Sequence, residues 1–173
     1  MKFDTDILIV GGGLNGTVLA LALAQVGFES IILDTLPVDT RKQAAFDGRS
    51  YAIALSSQRM LSTLGVWDLV RKKSQPILDI TVSDGKPAEG ASPYFVHFDH
   101  CEIEEGPMGH MIEDRFLRRI LLDKLAATDC VTHMAEAKVA HHEIDMAGAT
   151  VRLADGRVLR GRILVGCDGR QSA

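Results

Sequence analysis

Gly11, Gly13 and Gly16 fall in the run Gly11-Gly12-Gly13-Leu14-Asn15-Gly16, with the spacing Gly-x-Gly-x-x-Gly. Glycines so spaced can bring a backbone against a pyrophosphate. The first allows a tight turn from strand to helix, and the second removes a side chain where the phosphates approach. The third lets helix and strand pack closely. A helix starting there presents free N–H groups and the positive end of its dipole, so Gly12 and Asn15 are counted in the same cradle. Asp34 lies 18 residues beyond Gly16, near the ~20 expected of a carboxylate that accepts hydrogen bonds from an adenosine ribose. A carboxylate there repels a 2′-phosphate, and Thr35 and Leu36 bring no arginine. The pattern therefore favours FAD or NAD over NADP at this site. A second carboxylate, Asp168, stands in Gly166-Cys167-Asp168-Gly169-Arg170-Gln171-Ser172. It ends an apolar run, at the edge where ligands of open α/β sheets bind.

These residues need elements to carry them. Asp6 to Val10 is short, apolar and branched, and glycines end it, as in a strand buried on both faces of a parallel sheet. Asn15 to Val26 is built of helix formers and stopped by Gly27; its apolar residues point all round, so burial on every side is expected. Ser30 to Asp34 is a second strand of the first kind, completing a βαβ unit. Thr35 to Gly48 reads as polar and irregular. Ser56 or Ser57 is expected to cap a helix carrying Met60, Leu61 and Leu64, with Gly65 stopping it and Trp67 opening another. Ile77 to Ser83 reads as a strand before a turn at Asp84-Gly85-Lys86-Pro87, with a further strand around Tyr94 to Phe98. A helix is expected from about Glu113 to Ala127, with Leu117, Ile120, Leu121 and Leu125 on one stripe. Val151 and Leu153 alternate with polar residues, Asp155-Gly156 signals a hairpin before Val158, and Ile163 to Cys167 reads as a last doubly buried strand.

Composition bounds the function. The chain has 173 residues, about one domain's length, 46% of them hydrophobic and 24% charged. That is a chain able to bury a core, which excludes collagen-like, disordered and disulfide-scaffold classes. Nineteen Lys and Arg against 23 Asp and Glu leave a net charge of −4 without a basic cluster, so no nucleic-acid partner is expected. The longest strictly apolar run, Val18 to Ala24, is far short of a membrane span. Asp4 and Asp6 stand where a signal peptide carries positive charge. Cys101, Cys130 and Cys167 form no CxxC pair and fit reduced thiols in a cytoplasmic protein. His97, His100 and Cys101 look like zinc ligands, but no spacing completes a set of four, so no metal is expected. On a strand, His97 and His100 would face opposite ways. Cys167 reads as an inert small hydrophobe.

The glycine turn and the Asp168-Gly169 strand end together resemble the fingerprint of the aromatic-ring flavoprotein hydroxylases, the para-hydroxybenzoate hydroxylase superfamily. Within it the chain is most similar to the ubiquinone-biosynthesis hydroxylases, on three further stretches. These are Asp47-Gly48-Arg49-Ser50-Tyr51-Ala52-Ile53-Ala54-Leu55-Ser56 leading into Leu64-Gly65-Val66-Trp67, Gly109-His110-Met111-Ile112-Glu113-Asp114-Arg115-Phe116-Leu117, and Leu153-Ala154-Asp155-Gly156-Arg157. The resemblance implies an α/β fold over 1–173, a Rossmann-like FAD/NAD(P)-binding domain with a parallel sheet and a β-hairpin. About 74–110 would be a partial substrate-domain insertion. By the same resemblance Gly11, Gly13 and Gly16 would hold the FAD pyrophosphate and Asp34 the adenosine ribose. Arg49 and Arg115 would reach the flavin nucleotide, Val139 would contact adenine through its backbone, and Asp168 would touch the FAD ribose.

The implied chemistry is the cofactor's: FAD, reduced by NAD(P)H, uses O2 to hydroxylate an electron-rich aromatic ring, here a polyprenyl phenol. No catalytic side chain is nominated. Family members are roughly twice as long and carry a later Gly-Asp motif, so the chain reads as an N-terminal part, inactive alone and prone to self-association. Membrane contact is expected only at the periphery of the inner membrane, through the half not present here. Other flavoproteins of the same fold, or a non-catalytic dinucleotide-binding module, are the competing readings.

Overall fold

The computed structural model describes residues 2–86, 88 and 90–169, arranged as two compact units. The first comprises Met1–Ala45 with Arg115–Ala173, the second Phe46–Asp114.

In the first unit the sheet order is β8-β2-β1-β11-β10-β9. Strands β1 (Thr5–Val10), β2 (Ser30–Leu33), β8 (Val131–Met134) and β11 (Val158–Gly166) run parallel to one another. β10 (Gly148–Leu153) pairs antiparallel with β11, and β9 (Val139–Asp145) pairs antiparallel with β10 at the edge. Branched side chains make the centre. Leu8 and Ile9 of β1 and Ile32 of β2 are fully buried, and every residue of β2 is buried, as the apolar runs require. A core cluster of Leu8, Ile31, Leu33, Ala137, Val151 and Leu153 joins both halves of the sheet, with Val139 packed against it.

Helix α1 (Leu14–Gln25) connects β1 to β2 and ends, as expected, before Gly27 at φ +87°. Its burial is narrower than its all-round apolar sequence suggests. Gly16, Thr17, Ala20 and Leu21 are buried while Val18, Leu19 and Leu23 are only partly covered, because one side of the helix faces the sheet. The stretch read as irregular contains one helical turn, α2 (Val38–Arg41). β11 is one continuous strand from the Asp155-Gly156 hairpin to Gly166, and it is not buried on both faces: Ile163 is 56% exposed. The apolar run marks a central strand, one face of which no described residue covers at that point. α5 spans Asp114–Ala126, and buries Leu117, Leu121, Leu122 and Leu125.

The second unit holds β3 (Ser50–Ala54), β4 (Ser74–Ile77) and β7 (Gly109–Glu113), in the antiparallel order β3-β7-β4. Helices α3 (Leu55–Thr63) and α4 (Trp67–Val70) bury Leu61, Leu64, Trp67 and Val70. α3 starts directly from β3 with Ala54 at the cap, so Ser56 and Ser57 lie inside its first turn and cap nothing. A separate ribbon pairs β5 (Asp79–Lys86) with β6 (Gly90–Asp99). Asp84 to Lys86 belong to β5, with Lys86 opposite Gly90, because the strand continues past an irregularity at Ser83 to Gly85. Pro87, like Arg170, Gln171 and Ser172 of the closing motif, lies outside the described residues.

Candidate functional site

The turn from β1 into α1 is locked from three sides. Gly11 N–H donates to Leu33 O at 2.8 Å, and Cys167 N–H donates to Val10 O at 2.6 Å, so the ends of β1, β2 and β11 meet there. Gly11 takes φ +107°, and a Cβ on it would lie 2.7 Å from Asp168 N. Gly12 backs onto the Asp34 side chain, and Gly16 packs on the carbonyl of Gly11. Each of these glycines answers to the protein's own packing.

Gly13 does not. Its φ of −74° and ψ of −170° suit any residue, and a Cβ there meets nothing within 4 Å. It is the N-cap of α1, without a side-chain hydrogen bond, and its carbonyl accepts the first helical bond, from Thr17 N–H at 3.0 Å. The N–H groups of the first turn, from Leu14 to Gly16, have no acceptor within the helix. Open space in front of unpaired N–H groups at a positive dipole end is what a pyrophosphate needs, and the residues present fit one.

Asp34 directly follows β2, beside this turn. Its N–H donates to Met134 O at 2.9 Å, and its carbonyl accepts from Ala137 N–H at 2.8 Å, so the segment leading to Val139 runs alongside it. The carboxylate is 1% exposed. Arg41 Nε donates to Oδ2 and Nη2 to Oδ1, both at 2.7 Å, and Leu36 N–H donates to Oδ1 at 3.1 Å. His133 Nε2 stands 3.7 Å from Oδ2, beyond hydrogen-bond reach, and has no hydrogen-bond partner among the described residues. Burial opposes ionisation of Asp34, but His133, Arg41 and the Leu36 N–H outweigh it and hold the carboxyl far below the usual carboxylate range. The short fork of Arg41 is the firmer of the two side-chain contacts. Sequence reasoning missed both Arg41 and His133. Neither has a periodic or motif signal, and only the fold brings them to Asp34.

Asp168 follows β11 and is exposed, with its backbone against Gly11. Cys167 is half-buried, and burial pushes its thiol up, as for an inert thiol. Gly11, Gly12, Gly13, Asn15, Gly16, Asp34 and Asp168 are thus brought to one edge of the sheet, with the approach to Val139 beside them. Arg115 lies in the first turn of α5, where Nη1 donates to Ala44 O at 3.1 Å and the guanidinium lies 4.7 Å from the Phe116 ring centroid. Arg49 belongs to the second unit. It pairs with Asp47 and lies 3.4 Å from the buried Asp114, which also accepts from Tyr51 Oη–H at 3.0 Å. Ligand atoms of Asp99, His100 and Cys101 fall within 4.8 Å of one another on a surface turn, whereas His97 pairs with Asp79.

A parallel sheet whose strand ends converge on a glycine turn, with carboxylates at the ends of two strands, defines a dinucleotide-binding α/β protein. The chain belongs to the FAD binding domain family, whose pattern it matches over residues 4–173. It is 44% identical to the ubiquinone hydroxylase UbiL of Rhodospirillum rubrum over 96% of this chain and 38% of that protein. It is 32% identical to the 3-demethoxyubiquinol 3-hydroxylase of Escherichia coli over 97% of this chain and 42% of that one. The chain therefore spans about two fifths of the length of these relatives. Among solved structures, p-nitrophenol 4-monooxygenase PnpA of Pseudomonas putida superposes with a TM-score of 0.77 at 19% identity, over 100% of this chain and 43% of that one. Aklavinone-11 hydroxylase with FAD and aklavinone gives 0.73 at 25% identity, over 99% and 34%. Among the described residues no helix is long and apolar enough to cross a membrane.

Proposed function

We propose that this chain is the adenosine-binding part of an FAD-dependent monooxygenase that hydroxylates the aromatic ring of a ubiquinone precursor, with NAD(P)H as reductant and O2 as oxidant. The observation that carries the reading is Gly13, a glycine that neither backbone conformation nor packing requires. Its missing side chain makes sense if a pyrophosphate comes to the helix start. The names of the relatives at 44% and 32% identity support ubiquinone hydroxylation over other flavin chemistry.

When bound, FAD supplies the electron transfer and the oxygen activation. The chain's own residues bind and orient. The Leu14 to Gly16 N–H groups take the pyrophosphate, Asp34 the adenosine ribose, the Val139 backbone the adenine, and Asp168 the ribose side of the flavin half; Arg49 and Arg115 are assigned to the flavin nucleotide. The β5–β6 ribbon is the start of the layer that covers the aromatic substrate.

The test is chemical. The FAD-loaded protein, with all the sequence its gene encodes, receives NADH or NADPH, a polyprenyl phenol and isotopically labelled O2. One labelled oxygen in the ring is expected. Oxidation of the nucleotide with no label in the ring contradicts the assignment.

A further inference from the structure

Asp34 has the position of a ribose-binding carboxylate but not the accessibility of one. A ribose presents two adjacent hydroxyls, and these need both carboxylate oxygens. Each already accepts from the Arg41 fork at 2.7 Å, Leu36 N–H fills a further place on Oδ1, and the carboxylate is 1% exposed. Arg41 is itself largely covered, with 19% of its side chain exposed, and it closes the space a diol would enter. A guanidinium edge offers a carboxylate two parallel donors, as a vicinal diol does.

We propose that Arg41 is an internal stand-in for the adenosine ribose, and that the one-turn helix α2 is a latch that must lift from Asp34 before the adenosine end of FAD can dock. This rests on reading the glycine turn and Asp34 as the FAD site. α2 is built to move. It has four residues, none of them buried, and no side-chain cap at Pro37. The neighbouring tie, Lys42 Nζ to Asp123 Oδ1 at 2.9 Å, joins two side chains that are 38% and 50% exposed, a kind of pair that holds little. The charged and titratable groups facing Asp34 are Arg41 from α2 and His133 from β8. When Arg41 leaves, the carboxylate keeps His133 and the Leu36 N–H beside it. The apparent affinity for any adenosine diphosphate ligand is then the intrinsic affinity reduced by the fraction of molecules with the latch open.

The experiment titrates this chain, and its Arg41→Ala, Arg41→Lys and Asp34→Asn variants, with FAD and with ADP, following flavin fluorescence, heat and association rate. Arg41→Ala is expected to bind both ligands about tenfold more tightly and to associate faster. Arg41→Lys, which keeps the charge but loses the fork, falls between, and Asp34→Asn weakens binding. Weaker binding by Arg41→Ala overturns the latch, since Arg41 would then hold the cofactor. Unchanged affinity in Arg41→Ala with a loss in Asp34→Asn also overturns it, while leaving the ribose assignment intact. Binding of FAD that neither substitution alters refutes Asp34 as the ribose site, and the latch with it. Binding by none of the four proteins refutes the FAD site in this chain, and the latch falls with it.

Discussion

At Asp34 the carboxylate is ionised against the cost of burial, so the stability of the fold must follow its protonation. Its folded pKa lies below the unfolded value of about 3.9. The contribution of the Arg41 pair is therefore complete above that value and is lost as the pH falls through the folded pKa. Asp34→Asn should cost on the order of 2 kcal/mol at pH 7 and flatten the acid side of the stability curve below about pH 4, as urea melts at pH 7 and pH 3 would show. A parallel acid loss in both proteins would remove the pair from the account. The glycine turn makes a second contrast. Gly11→Ala forces a left-handed residue against Asp168 N and should destabilise by more than about 2 kcal/mol, read as a fall in melting temperature. Asp34 was legible in the sequence because its distance from Gly16 carries a meaning. Arg41 was not, since a polar run seven residues further on gives no sign of folding back, and only tertiary structure pairs the two.

The elements that were legible are those with a strong apolar signature. β1, α1, β2 and α5 fall within a residue or two of where their runs and stripes place them, and the Asp155-Gly156 turn does join β10 to β11. β3 and β7 were not read, because short, half-exposed strands carry too few apolar residues to show a period. α3 starts one residue before the serines that seemed to cap it, since a chain entering straight from a strand leaves no room for a capping turn. Burial was over-read where sequence shows only that a run is apolar, as at Ile163. The core cluster ties β10, and the edge strand β9 through Val139, to β1 and β2; Leu153 of β10, 2% exposed, is part of it. Leu153→Ala should cost about 2–5 kcal/mol in chemical denaturation. A cost below about 1 kcal/mol would mean that the antiparallel half of the sheet is not integral to the fold.

Across the whole molecule, apolar surface stands uncovered in both units. Ile163 lies open in the first, and the ribbon of the second exposes Tyr94 at 85% along with Val82, Phe95, Val96 and Phe98. The ribbon has only two strands, so each also has an unpaired edge. Surfaces of this kind mark interfaces, and self-association through them is the expected outcome. Sedimentation velocity should show oligomers that grow with concentration and diminish in Phe95→Glu; a monomer at all concentrations would show that the ribbon's apolar residues are tolerated in water. Whether a flavin dinucleotide sits on the β1–α1 turn can be decided at Gly13, the glycine the fold does not need. Flavin fluorescence titration of this chain beside Gly13→Val, with melting curves of both, should give FAD binding that is lost at least tenfold in the variant while its stability changes by less than about 1 kcal/mol. Equal FAD binding by the two proteins would contradict the account.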